Sequence, residues 1–336
     1  MVTMLVAAML AQAQVVLDED AWTAVAPPPA ETGVGAAMVE CMNTLYAARG
    51  GGSREFWAYL PSTDEWAPCP DLPFPMSNGG AMASDGATSV YAACGAQLAR
   101  FAIAENSWSI VVPLPGSMGS GGCLTWTAGV IYVLRGGNST DFWRVDEMVQ
   151  TVEVLGALSQ TYSYGADMVC DGNDKITIVR GNNSNDWGMY DPSVNVWVPY
   201  PDLPATVTAG SSLTLHDEVL YLFRGAGSKM SWRCTDGVTW EPWTPAPVPC
   251  ESGTSMAVRG GLMYLLAGKA QSLWRMVMPK RAEAPPKPEA NPPAEGGSDG
   301  RRCSASAGPG TTWFAFAPLF LAAFAVRVAR RTPWSL

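Results

Sequence analysis

The chain has 336 residues, 48% hydrophobic and only 15% charged, with 34 glycines and 27 prolines, which argues against disorder and for many short strands joined by tight turns. Its formal charge of −9 is uneven: from Lys280 onward there are eight basic and four acidic side chains, leaving about −13 on residues 1–279. A body so acidic is repelled by phosphate, which argues against nucleic acid as a partner.

Residues 1–14 read as an export signal, because the run from Met4 to Leu10 is apolar and Ala11-Gln12-Ala13 is a small-residue cleavage pattern with Ala13 at the cut. No Lys or Arg precedes the apolar run, and a buried first strand is the other reading. The next stretch, Asp18 to Gly33, matches the end of a repeat rather than a beginning. Its Trp22 follows a polar turn, as do Trp66, Trp108, Trp197 and Trp240 further along.

The repeat itself is an apolar run, then Arg-Gly, then a short polar turn and an aromatic. Arg49-Gly50, Arg135-Gly136, Arg180-Gly181 and Arg224-Gly225 carry it intact, and Cys94-Gly95 and Ala267-Gly268 stand in the same place. The glycines are spaced by 45, 41, 45, 44 and 43 residues, so there are six copies. A period in the low forties with β-branched and aromatic runs punctuated by glycine predicts an all-β, six-bladed β-propeller with one four-stranded blade per repeat.

In the third copy the predicted strands are Cys123 to Trp126, Val130 to Leu134, Asp141 to Asp146 and Thr151 to Leu155. Glycine ahead of each first strand (Gly35, Gly80, Gly122, Gly165, Gly210, Gly253) suits strands crowded around a channel. The aromatics after the turn, among them Trp57, Trp143 and Trp187, are expected to fill the space between blades. The last copy stops at Pro279 without an outer-strand tryptophan. The strand around Trp22 is therefore expected to complete the sixth blade and close the ring, leaving no unpaired edge.

A second strand ending in glycine and a tryptophan on the fourth strand resemble the kelch family of propellers over roughly Asp18 to Pro279. The resemblance implies that the turn after each second strand and the start of each first strand share one rim of the ring. It leaves function open, since such propellers include protein-binding modules and a few oxidoreductases.

Glu55, Asp141 and Asp186 lie six positions after Arg49, Arg135 and Arg180, across the turn, while Met230 takes that place after Arg224. One reading is cross-strand pairing, worth about 0.2–1 kcal/mol for each pair. The other is that the four guanidinium groups form a ligand-binding rim for carboxylates, sulfates or an acidic peptide, with Arg224 the foremost candidate. No catalytic residues, cofactor or metal site emerge. The one histidine, His216, is expected in a turn and disfavours a histidine-ligated copper site, and the sialidase Asp-box finds only a near miss at Thr235 to Trp240. No acid or base stands out from its copies in the other repeats. Seven cysteines lie in the repeat region with no C-x-x-C pair, so zinc is disfavoured, and any pairing among them stays open.

Residues 280–302 change to a proline- and glycine-rich spacer. From Cys303 to Val326 there is no charge, Trp313 to Val326 suits a single hydrophobic helix, and Arg327, Arg330 and Arg331 follow. Cysteine, a brief apolar helix and an arginine cluster resemble the MYXO-CTERM class of bacterial sorting tail. This implies, for residues 303–336, cleavage by a sorting protease near Cys303, a possible lipidation point. A plain membrane anchor is the other reading. The whole chain then reads as an exported, surface-attached binding module for a protein or glycan. Alternatives are a hydrolase or lyase working at the channel mouth and a structural surface protein.

Overall fold

The computed structural model describes residues 21–279, apart from residues 157, 172 and 173. Among these the protein is all β: six antiparallel sheets of four strands each, with no helix. This is a six-bladed β-propeller. The predicted signal with Ala13, the spacer and the tail with Cys303 lie outside the described residues.

Each blade is a meander in which every strand pairs with the next. In the third, Cys123–Thr127, Val130–Leu134, Phe142–Asp146 and Thr151–Val154 follow one another outward from the channel. The second strand is the most buried, as Val130–Leu134 shows at all five positions, because it is covered on both faces by neighbouring blades. In the sixth sheet the order is different: Ser255–Arg259, Leu262–Leu266 and Leu273–Val277 are followed by Thr23–Val25 from the start of the chain. Thr23 lies opposite Arg275 and Val25 opposite Leu273. Innermost strands touch their neighbours all the way round, the sixth blade against the first.

Aromatic rings fill the wedges between blades. Phe56 of the first blade meets Phe101 of the second edge-on at 5.1 Å, Phe142 of the third meets Tyr190 of the fourth at 4.9 Å, and Trp187 of the fourth meets Trp240 of the fifth at 5.2 Å. Such pairs add about 0.5–1.5 kcal/mol beyond the area they bury. The fourth-strand tryptophans also latch blades together, since Trp66 Nε1 donates to Ala26 O at 2.9 Å and Trp108 Nε1 to Pro70 O at 3.0 Å. Trp22 does the same at the start of the chain, donating to Pro245 O at 2.9 Å.

One local expectation is refined and one corrected: Gly80 and Gly122 are crowded as expected, a Cβ on them lying 2.9 Å from Ser77 O and 2.8 Å from Met118 Cε respectively. In the second and third blades the left-handed glycines are Gly79 (φ 82°) and Gly121 (φ 73°), one residue ahead of Gly80 and Gly122. The reason is steric: a Cβ on Gly121 would lie 1.9 Å from Ser163 O, so the chain turns there and Gly122 follows it. His216 ends the innermost strand Ser212–His216 rather than sitting in the turn, and pairs with Val219 across the hairpin.

Candidate functional site

One rim of the ring carries two sets of groups, and the arginine turns form the outer set. Each repeat arginine directly follows its blade's second strand, and the glycine after it has positive φ so that the turn can press against backbone leading into the first strand. A Cβ on Gly136 would lie 2.4 Å from Gly122 N. The turns are then bonded down, Gly51 N to Val34 O at 2.8 Å, Gly137 N to Ser120 O at 2.8 Å, Asn182 N to Tyr164 O at 2.9 Å and Ala226 N to Ala209 O at 2.8 Å. The turn after the second strand and the start of the first do share a rim.

The arginine side chains repeat as closely as the backbone. Nε donates to Glu31 O from Arg49 (3.0 Å), to Ser117 O from Arg135 (3.1 Å), to Thr161 O from Arg180 (3.0 Å) and to Thr206 O from Arg224 (3.1 Å). Nη1 then reaches the acid six residues on: Glu55 at 2.5 Å, Asp141 at 2.6 Å and Asp186 at 2.5 Å. These arginines hold the Asp141 and Asp186 carboxyls below the usual carboxylate range. At Arg224 the same nitrogen meets Met230 Sδ at 4.0 Å instead of a carboxylate. Each guanidinium is thus bound into its own blade, and none of the four lines the channel mouth.

The inner set is the channel mouth itself, a cavity of about 170 Å³ walled by the starts of all six innermost strands. Most of its side chains are small, hydroxylic or amidic, with Val34, Met38, Met82 and Leu124 adding apolar surface. Ser120 Oγ donates to Asn78 Oδ1 at 2.9 Å, Ser252 lies across the opening, and Tyr164 is 41% exposed. A second chamber of about 260 Å³ continues inward past Glu40, Trp126 and Thr214. Each is smaller than the roughly 300–1,000 Å³ that encloses a drug-sized ligand, so the mouth suits an end group inserted from outside.

Asp167 borders both chambers. Counting two residues from each left-handed glycine, the six blades present Ala37, Ala81, Cys123, Asp167, Ser212 and Ser255. The polar members tie neighbouring inner strands together: Met38 N donates to Ser255 Oγ at 3.0 Å, Met256 N to Ser212 Oγ at 3.0 Å and Leu213 N to Asp167 Oδ2 at 2.8 Å. Met168 N donates to the other Asp167 oxygen at 2.9 Å. Burial nevertheless outweighs these two bonds and pushes the carboxyl up to about 6.

Asp167 is therefore an acid that breaks the repeat at the mouth, contrary to the sequence expectation that none does. The signal was present under either alignment: counted from Gly80 and Gly122, the second and third blades offer Met82 and Leu124 and Asp167 is still the one acid of the six, though the ring of small residues around it disappears. Only the left-handed glycines bring Ala81 and Cys123 into step.

The seven described cysteines are unbridged thiols. Burial pushes Cys69 up to about 11 and Cys250 to about 12, and Cys123 well above the ordinary thiol value, so they are poor nucleophiles. His216 Nε2 lies 3.5 Å from Asp217 Oδ2, with no nucleophile placed beside it among the described contacts.

No family model matches the chain, and no curated protein matches it. Solved structures do. The chain is similar to the structure of YjhT at 13% identity and a TM-score of 0.61, covering 74% of this chain and 95% of that one. It is also similar to a structural genomics protein of unknown function from Bacteroides thetaiotaomicron VPI-5482, again at 13% identity, with a TM-score of 0.57, covering 76% of this chain and 72% of that one. At this identity the likeness carries the fold: this chain shares the propeller architecture of both.

Proposed function

We propose that this protein is a binding module of the kelch-like type that receives an end group of a glycan at the channel mouth. The observation that carries the reading is the chemistry of that mouth: hydroxyls, amides and backbone groups beside exposed Tyr164 and Val34, with one carboxylate, Asp167, among the lining residues. Sugar hydroxyls need paired donors and acceptors together with an aromatic face, and Ser120, Asn78 and Tyr164 offer both. Arg224 lies outside the mouth, and it is the rim arginine that would meet a ligand extending onto the rim, because no carboxylate engages it among the described ion pairs, whereas Arg49, Arg135 and Arg180 are held by their own acids.

The setting we propose is extracellular. Residues 1–14 act as the export signal cut after Ala13, residues 18–279 form the propeller, and residues 280–302 hold it off the membrane. Residues 303–336 act as a MYXO-CTERM-like tail, processed by a sorting protease at Cys303 and leaving the protein at the cell surface. The support is the sequence pattern described above.

A second reading, hydrolysis or lysis at the mouth, draws on Asp167, whose carboxyl titrates near neutrality and breaks the repeat. Glycoside hydrolysis by two carboxylates requires a second acid at the same opening, and among the described residues the mouth presents only Asp167. The binding reading is tested by applying the purified protein to arrayed bacterial surface glycans. Retention that is lost in Tyr164→Ala and Ser120→Ala, but kept in Arg135→Gln, supports it. Retention indifferent to Tyr164, or turnover of a bound glycan, overturns it.

A further inference from the structure

The opposite end of the ring carries a cationic cluster that the channel mouth does not use. Ser252 to Ser255 line the mouth, and the strand they begin runs down the channel to end at Arg259, just before the Gly260-Gly261 hairpin. Alternation along the strands puts Arg259 on one face with Ala257, Tyr264 and Arg275, since Tyr264 lies opposite both Ala257 and Arg275. That face meets the first blade, where the Tyr264 ring stands 6.0 Å from Tyr59. Tyr264 is fully buried, at 0% exposure. Arg259 Nε and Arg275 Nε are buried without a hydrogen-bond partner, and the groups acting on the Tyr264 hydroxyl are these same two guanidiniums, with no carboxylate among them. The register sets Arg275 directly opposite Tyr264 and Arg259 on the same face; burial pushes the Tyr264 hydroxyl up, while both guanidinium groups lower it through their charge and their hydrogen bonds to it.

Comparison with the other blades shows what is missing. Third-strand arginines elsewhere find carboxylates: Arg144 faces Glu153 with 3.8 Å between their charged atoms, Arg233 bonds Glu241 at 2.7 Å, and Arg100 reaches Glu147 of the next blade at 3.2 Å. In the sixth blade neither source exists. Thr23 occupies the place opposite Arg275, and Pro61 of the first blade occupies the place of Glu147. The nearby Asp64 is engaged by Tyr59 Oη at 2.6 Å and Ala26 N at 2.8 Å, and no ion pair joins it to either arginine among the described residues.

We propose that Arg259, Arg275 and Tyr264 form an oxyanion site at the seam between the sixth and first blades. Two guanidinium groups and a phenol offer converging donors, and burial of the unpaired Nε atoms makes an occupant worth more than at an open surface. The oxyanion has two sources, an external sulfate, phosphate or carboxylate group, and the carboxylates of Asp18-Glu19-Asp20, which precede the seam strand in sequence.

The test is the melting temperature of the full chain in sodium sulfate against sodium chloride at equal ionic strength. For an external oxyanion, sulfate at tenfold its Kd raises Tm by about 3 °C. That increment is lost in Arg259→Gln and Arg275→Gln but kept in Arg233→Gln. For the internal source, the wild type gives no arginine-dependent increment, and Asp18→Asn/Glu19→Gln/Asp20→Asn acquires one. The same sulfate response in the arginine variants as in their parents, with or without the acidic segment, overturns the proposal. Should Arg275→Gln fail to fold, Arg259→Gln at the hairpin end carries the comparison alone.

Discussion

The arginine turns and the channel ring lie on the same rim, yet they differ in how they use the repeat. At the turns, four blades place the same guanidinium on the same carbonyl, and three add the same acid, so that each blade holds its own edge. In the channel ring, equivalent positions vary from alanine to aspartate, and Ser212, Ser255 and Asp167 each accept a backbone N–H from the next blade. Repeated chemistry stabilises the blade, and variable chemistry at one radius is where a ligand can be distinguished from solvent. Function is therefore sought where the copies disagree.

The largest expected effect comes from breaking the backbone that sets the ring. Gly165→Ala would place a Cβ 2.3 Å from the Thr208 carbonyl at a φ of 81°, and should cost about 3 kcal/mol or more in urea unfolding. An unchanged midpoint would mean that the ring tolerates a shift in the Asp167 strand.

Next comes the carboxylate itself. Because the folded state raises Asp167 from 3.8 to about 6, the native protein binds the proton more tightly than the unfolded chain, and the associated stability is full below pH 3.8 and lost as pH rises through about 6. The shift corresponds to at most about 3 kcal/mol. Asp167→Asn should flatten the stability profile between pH 4 and pH 7, and a profile identical to wild type would show that the carboxyl titrates normally.

The arginine turns titrate with the opposite sign. Asp141 and Asp186 are lowered by their arginines, so their contribution is present above pH 3.8 and lost as pH falls below it. Arg180→Met should cost about 1–2 kcal/mol, discounted for the half-exposed acid, and should weaken that acid limb. Arg224→Met should cost the least, about 0.5–1 kcal/mol, since it forfeits one bond to a carbonyl and no ion pair. Equal losses in the two variants would erase the distinction between the paired and unpaired turns.

Much of this was legible in the chain. The spacing of Arg-Gly glycines gave the blade count, and the six-residue offset from Arg to acid anticipated the ion pairs at Arg49, Arg135 and Arg180. Both are encoded within a single hairpin, where a few residues decide their own geometry. Asp167 is the one acid at its position under either alignment, and what was not legible is its place between two channel chambers with Leu213 N of the next blade on its carboxylate. Only the ring of small residues around it depends on which of two adjacent glycines turns left-handed in other blades. That choice follows from collisions with backbone of the neighbouring blade, such as Ser163 O beside Gly121.

The seam was half legible: Trp22 marked the first strand as a fourth strand out of place, but not that Thr23 would stand opposite Arg275. The sequence alone determined the repeat, its strands and its local charge pairs, since each is settled by residues a few positions apart. Tertiary structure alone decided which side chains share the channel and which cations lack a partner. Those depend on register between strands from different blades or from the two ends of the described chain, which no local pattern carries.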